Sequence, residues 1–419
     1  MTKKELSWAM YDWANSVFFT TVVAGFFPVF FKKYWSTEGT VLDSTARLGV
    51  VLTISGFLIA ISSPLLGVLS DYRRFKKKFL FMYTILGSLA TVGLYFVPQG
   101  DWSTAALLYG IALFFCSAGS VYYDSLLVSV TSSDRFDKIS SYGYAMGYLG
   151  GAVLFIFNLM MYQNPSWFGI TDGTTGVRLS FITVGIWWTL FTLPLMFNVP
   201  EPDLNHEFDR IPLGQLLSKS VSELNKTFLE IFKNKNLFYF VLAYWFYIDG
   251  VGTVISMAVD FGMSLDFDSG DLIKALLLTQ IVGFPAAFVV GKWASVWGSK
   301  RIILFCIFLY SIIVVGASLM SSPVHFFILA AVIGCAQGGI QALSRSFFAQ
   351  LVPHEKSGEY FGFFNLLGKF ASIVGPLLMA IAAKMTNQPQ YTILSLLILF
   401  VMGFYFLLKV KNPQQKSQG

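Results

Sequence analysis

Residues 11–28 read YDWANSVFFTTVVAGFFP, a stretch apolar enough to cross a bilayer that nevertheless carries Asp12 and Asn15. An ionisable residue inside a membrane span is costly and marks a functional site by default. A near copy stands at residues 245–262, WFYIDGVGTVISMAVDFG, and superposing Trp8 on Trp245 places Asp12 on Asp249. One polar-centred span occurring twice predicts a membrane protein assembled from an internal repeat.

Composition agrees with that reading. Of 419 residues, 55% are hydrophobic and 12% charged, whereas a water-soluble domain carries about a quarter charged residues. The net charge of +6 reads as topogenic and not as a nucleic-acid footprint. Cys116, Cys306 and Cys335 all fall in apolar runs with no CxxC spacing, so they are expected as small core residues, neither disulfides nor metal ligands. The first apolar run follows Lys3 and Lys4, but it is long and no small-residue cleavage pattern follows it. It is read as a retained helix.

Runs of roughly 20 apolar residues, enough to cross a ~30 Å hydrocarbon core, number twelve: about 6–31, 46–70, 78–97, 103–130, 138–162, 177–198, 236–263, 271–293, 300–320, 325–350, 359–384 and 391–409. Continuous runs exclude a membrane barrel, whose strands alternate. The fold expected is an all-α membrane protein of twelve transmembrane helices in two pseudo-symmetric six-helix bundles. Placing both termini in the cytoplasm puts 22 of the 29 Lys and Arg inside and six outside, with Lys369 within a span; this is the orientation that basic loops favour.

The one long polar segment, 200–236, divides the chain. The expected domains are 1–199 (first bundle), 200–235 (cytoplasmic linker), 236–410 (second bundle) and 411–419 (cytoplasmic tail). In the linker Leu213, Leu216, Leu217, Val221, Leu224, Phe228 and Ile231 recur at helical spacing. They predict an amphipathic helix on the cytoplasmic membrane face. Three landmarks repeat in order: Asp12 with Asp249, Gly67 with Gly291, and Gly143 with Gly362. A parallel repeat of this kind is the plan of a secondary transporter with its site between the halves near the midplane.

The segment Gly67-Val68-Leu69-Ser70-Asp71-Tyr72-Arg73-Arg74, followed by Lys76, Lys77 and Lys78, resembles the loop between the second and third helices of the major facilitator superfamily. Arg74 replaces the usual glycine, and the second copy, Gly291-Lys292-Trp293-Ala294-Ser295, has serine at the acid position. The first copy is therefore expected to carry more of a cytoplasmic latch, its acid meeting a neighbouring helix N-terminus. Ser7 to Ser16 (SWAMYDWANS), Gly147 to Gly151, Tyr247 to Val251 and Gly338 to Ser346 (GGIQALSRS) are together similar to the unknown major facilitator family, which includes the autophagy-related vacuolar amino-acid effluxer. This resemblance covers nearly the whole chain. It implies twelve helices, no cofactor and export of small solutes, neutral amino acids among them.

In the superfamily arrangement the first, fourth, seventh and tenth spans line the cavity, and these hold Asp12, Asp124, Asp249, Gln337, Gln341 and Arg345. Asp249 and Lys369 lie near mid-span, so they, with Asn15, Gln280, Gln341 and Asn365, form the expected substrate site. A zwitterion would give its ammonium to Asp249 and its carboxylate to Lys369; the alternative is a permanent ion pair between halves. Asp12 is a candidate proton carrier, or else an acceptor capping the start of its helix. Asp124 and Arg345, with Asp71 and Arg73, are read as a cytoplasmic gate, unless Arg345 braces its own half near Gly298 and Lys300. Glu359 is expected at the positive end of its own helix. Glycines 143, 147, 150 and 151 should permit close helix contact.

Rival classes lack their motifs. No GxxxxGK[ST] supports an ATP-driven pump, and His206, His325 and His354 are scattered with no HExxH. The chain is therefore read as a transporter and not an enzyme, without cofactor or metal. Its partners are a small solute, the bilayer and protons, but no nucleic acid, and it is expected to be monomeric and multi-pass in a bacterial inner membrane. The alternative cargo is an amphipathic, lipid-like or drug compound, or a sugar.

Overall fold

The computed structural model describes residues 1–37, 41–71, 75–201, 213–263, 265, 267–370, 374–386 and 389–412. Arg73, the tail beyond 412 and the side chain of Lys369 lie outside the described residues. Every regular element among them is a helix. Among the described residues ten helices are long and apolar enough to cross a membrane, and two shorter apolar helices, Val374–Thr386 and Ile393–Lys409, follow near the C-terminus.

Helix α1, Lys3–Trp35, begins with a reciprocal cap. The Glu5 amide donates to Thr2 Oγ1 at 3.2 Å and the Thr2 amide to Glu5 Oε2 at 2.7 Å, which satisfies two of the donors a helix start leaves free. Residues Phe18–Phe26 and Phe31–Trp35 of α1 are wound as π-helix. Then come α2 (Val41–Asp71), α3 (Lys76–Gly93), α4 (Trp102–Val130), α5 (Phe136–Gln163) and α6 (Gly173–Asn198). The connecting helix α7 (Leu213–Lys233) leads into α8 (Lys235–Met263), α9 (Ser269–Trp297), α10 (Ser299–Ser318), α11 (Pro323–Leu351), α12 (Ser357–Phe370), α13 (Val374–Thr386) and α14 (Leu397–Lys409). The single run expected at 359–384 is thus represented by two described helices, α12 and α13.

Within the N-terminal set, α1 packs on α5 and α6, and α4 on α2 and α3. Small residues set the α1–α5 separation: a Cβ on Gly147 would lie 2.6 Å from Ser16 Oγ, and one on Gly151 2.6 Å from Thr20 Oγ1. Any larger side chain there would force the helices apart. Within the C-terminal set, α9 and α10 pack on α11, and α8 on α14.

The two sets meet most extensively where α2 crosses α12 and α9 crosses α5, and also where α5 meets α11 and α4 meets α12. A Cβ on Gly67 would overlap the carbonyl oxygen of Gly358, and one on Gly362 would lie 2.6 Å from the Ser63 carbonyl oxygen. At the other crossing a Cβ on Gly291 would lie 2.5 Å from Ser141 Cβ. The glycines matched by the repeat, Gly67 and Gly291, therefore do the same job, each letting its helix close on the opposite set.

One expectation about the core needs correcting. Cys116 and Cys306 are buried, but Cys335 is exposed. An apolar run has an outward face as well as an inward one, and in lipid both are apolar.

Candidate functional site

Between the two sets lies a buried charge cluster centred on Arg345 of α11, whose side chain is 2% exposed. Its Nη1 donates to Asp124 Oδ1 at 3.1 Å and its Nη2 to Asp12 Oδ2 at 3.2 Å. Nε donates to Ser140 Oγ at 2.9 Å and Nη2 also to the Ser140 carbonyl at 3.0 Å. Asp12, Asp124 and Ser140 all belong to the N-terminal set, so one side chain of the C-terminal set is held by three of its helices.

The surroundings fix each partner. Tyr123 Oη donates to Asp12 Oδ2 at 2.7 Å, and Asn365 Nδ2 on α12 donates to Asp124 Oδ2 at 3.2 Å. Trp8 stacks on Tyr123 with centroids 4.5 Å apart, and its Nε1 donates to the Tyr123 carbonyl at 3.1 Å. The guanidinium carbon sits 4.8 Å from the Trp8 ring, 5.3 Å from Tyr123 and 4.5 Å from Tyr144, where ring quadrupoles favour a cation. A Cβ on Gly143 would lie 2.5 Å from Asp12 Oδ2, so glycine there lets α5 approach the pair. Two carboxylates face one guanidinium in this site, and burial makes each of the three dependent on the others.

At the end of the bundle that holds α7, Asp71 accepts from the amides of Gly358 (3.1 Å) and Glu359 (2.8 Å) in the first turn of α12. Lys76 Nζ lies 2.8 Å from Asp71 Oδ1 and donates to Ser357 Oγ at 2.8 Å. The carboxylate thus satisfies orphan helix-start donors and meets the positive end of the dipole. Glu359 lies in the first turn of α12, as expected, where it accepts from the Thr227 hydroxyl of α7 while Asp71 takes the amides.

At the other crossing Asp137 of α5 accepts from Ser299 Oγ (2.6 Å) and Ser346 Oγ (2.5 Å), with Gln350 Nε2 at 3.5 Å. The acid missing at Ser295 is supplied from the opposite side of the interface. Sequence reasoning missed Asp137, as it missed Ser140 as an Arg345 partner; both sit where a polar helix start is unremarkable.

Other expectations separate in space. Asp249, 1% exposed, accepts from Thr253 Oγ1 at 3.3 Å and from the Gly375 amide at 2.9 Å. Asn365 joins the Arg345 cluster instead. Gln280, Gln337 and Thr279 line a cavity of about 70 Å³ inside the C-terminal set, walled mostly by apolar residues such as Val254, Ala258, Leu272 and Phe326. Asn15 is buried one turn beyond Asp12 and Gln341 is half-buried one turn before Arg345. Asp12 does not cap α1, since Thr2 and Glu5 do. Arg345 does not brace the Gly298 region, where Lys300 Nζ donates to the carbonyls of Leu408 (2.9 Å) and Val410 (2.5 Å).

The family model described as "Vacuole effluxer Atg22 like" matches residues 42–419. An uncharacterized MFS-type transporter, YxiO, of Bacillus subtilis is 38% identical over 99% of this chain and 96% of its own length. Autophagy-related protein 22 of Eremothecium gossypii is 23% identical over 97% of this chain and 90% of its own. Among solved structures, the proton:xylose symporter XylE bound to 6-bromo-6-deoxy-D-glucose superposes with a TM-score of 0.71 at 13% identity, covering 98% of this chain and 94% of that one. The human organic anion transporter MFSD10 superposes at 0.67 and 15% identity, covering 97% and 99%. These two likenesses concern the fold.

Proposed function

The chain belongs to the vacuole effluxer Atg22-like family of the major facilitator superfamily and is a multi-pass membrane transporter, not an enzyme; on that premise we propose that it exports a small polar or zwitterionic solute, a neutral amino acid above all, by alternating access. The observation that carries this is the Arg345 cluster. A contact of one C-terminal side chain with Asp12, Asp124 and Ser140 is a discrete interaction that rocking halves make in one state and break in the other.

In this reading twelve helices form two bundles, 1–199 and 236–410, joined by the linker 200–235 and ending in the tail 411–419. Both termini are cytoplasmic, which the bias of 22 Lys and Arg against six supports. Asp71, Asp124 and Arg345 are then a cytoplasmic gate, closed in this conformation, with Arg73, outside the described residues, as its further candidate member, and the protein is a monomer in a bacterial plasma membrane. Asp249 takes the solute's ammonium and Lys369 its carboxylate, with Asn15 and Gln341 as neutral hydrogen-bonding groups; Asn365, expected with them, goes with the gate through Asp124, and Gln280 with the apolar cavity of the C-terminal set. Asp12 carries the coupling proton: with two buried carboxylates on one guanidinium, a proton removes the uncompensated charge when the gate closes.

A second reading, an amphipathic cargo, is favoured by the apolar walls around Gln280 and Gln337. Counterflow in proteoliposomes separates the two. Exchange of neutral amino acids, driven by an imposed pH gradient, supports the first reading; exchange confined to lysolipids or organic ions overturns it.

A further inference from the structure

The connecting helix α7 buries two hydroxyl side chains and leaves several large apolar ones exposed. Ser220 and Thr227 are fully buried, while Val221, Phe228, Leu229 and Phe232 remain 55%, 49%, 54% and 52% exposed. An apolar helix face turned away from its own protein needs an apolar medium. Only Asn234 separates α7 from the membrane-spanning α8, which fixes this end of α7 at the level where α8 leaves the bilayer. Lys226 and Lys233, two turns apart, are both exposed. Lys226 shares its charge with Glu223 at 2.5 Å, whereas Glu230 is directed to Lys356 (3.2 Å) and the Tyr360 hydroxyl (2.8 Å).

The inward side of α7 grips both helix sets at one place. Leu224 packs on Val68 of α2. Thr227 and Glu230 bind the start of α12 through Glu359, Lys356 and Tyr360. At the edge of this seat the exposed Phe228 has its ring centroid 6.4 Å from that of Phe363. This is where Asp71 caps α12.

We propose that α7 is seated in the headgroup layer of the membrane, takes anionic phospholipid through Lys226 and Lys233, and from there straps the Asp71 latch shut. Burial of the exposed phenylalanines in the acyl boundary holds the helix in place, and the lysines add electrostatic attraction to an anionic surface. The occupant is lipid and not a second protein because the same helix is continuous with a membrane span. Lipid composition then sets how readily this end of the transporter opens, whatever the solute.

Hydrogen exchange on the full chain in nanodiscs tests this without any transport assay. In discs of phosphatidylcholine plus phosphatidylglycerol, residues 213–233 and 357–360 should exchange about tenfold or more slowly than in phosphatidylcholine alone. The variant Lys226→Glu/Lys233→Glu should lose that lipid dependence, and Phe228→Ser/Phe232→Ser should lose protection in both discs. Thr227→Val should loosen 357–360 while leaving the lipid dependence of 213–233 intact. Protection unchanged by lipid and by the lysine variant, or rising with protein concentration as a second copy would require, overturns the proposal.

Discussion

Arg345 on α11 and Asp12 on α1 are in contact at 3.2 Å although 333 residues of sequence separate them. That contact, with Asp124 on the same guanidinium at 3.1 Å, joins helices from before and after the connecting segment. Its energetics follow from burial: the ion pair offers little net stability over an apolar alternative, but losing one partner strands the others.

Replacing Arg345 by Met should therefore lower stability by about 3–5 kcal/mol, since two buried carboxylates lose their counter-charge. Adding Asp12→Asn and Asp124→Asn to that variant should recover most of the loss. Arg345→Lys should remain impaired, because one ammonium cannot reproduce a planar fork spanning two carboxylates and Ser140. Melting curves of the purified variants give the comparison; equal melting of Arg345→Met and wild type would contradict it.

At the latch, Asp71→Ala removes the acceptor of the Gly358 and Glu359 amides. A lost helix cap costs about 0.5–2 kcal/mol, enough to shift the closed population several-fold. Ser63, buried against α12 in this conformation, reports opening: in a Ser63→Cys background, maleimide labelling should speed up several-fold when Asp71→Ala is added. Unchanged labelling would mean that Asp71 does not hold this end closed.

The α2–α12 crossing depends on Gly67. A methyl group there meets the Gly358 backbone, which cannot swing aside as a side-chain tip would, so Gly67→Ala should cost the closed arrangement about 1–3 kcal/mol. Spin labels at positions 69 and 356 should read a longer mean distance in this variant. Gly252→Ala is the control, because nothing lies within 4 Å of a Cβ at that position.

For Asp249, the two roles are separable by choice of substitution. Asp249→Ala leaves the Gly375 amide without its acceptor, a loss of about 1–3 kcal/mol, whereas Asp249→Asn keeps a carbonyl oxygen there. If the carboxylate also binds the solute's ammonium, Asp249→Asn should melt near wild type yet fail in counterflow. Full transport by Asp249→Asn would restrict Asp249 to positioning α13.

Much of the architecture was legible because lipid leaves few options. Backbone groups without water must be satisfied within a helix, so apolar length alone marks spans, and loop charge suggests their direction. Gly67 and Gly291, matched in the sequence, each stand where a helix closes on the opposite set. Placement around each helix axis was less legible: Cys335 faces outward, and α7 turns Ser220 and Thr227 inward. Asn365, grouped by depth with Asp249, serves Asp124 instead.

That this chain is a helical membrane transporter is readable from its apolar runs, its repeat and the family resemblance of its polar stretches. Tertiary structure alone decided which buried charges meet: Arg345 with Asp12, Asp124 and Ser140, Asp71 with the start of α12, Asp137 with Ser299 and Ser346. The reason is geometric. Spacing along a span fixes depth at 1.5 Å per residue, but a pairing across hundreds of residues depends on how helices rotate and how closely their glycines let them approach, and neither quantity is local to any stretch of sequence.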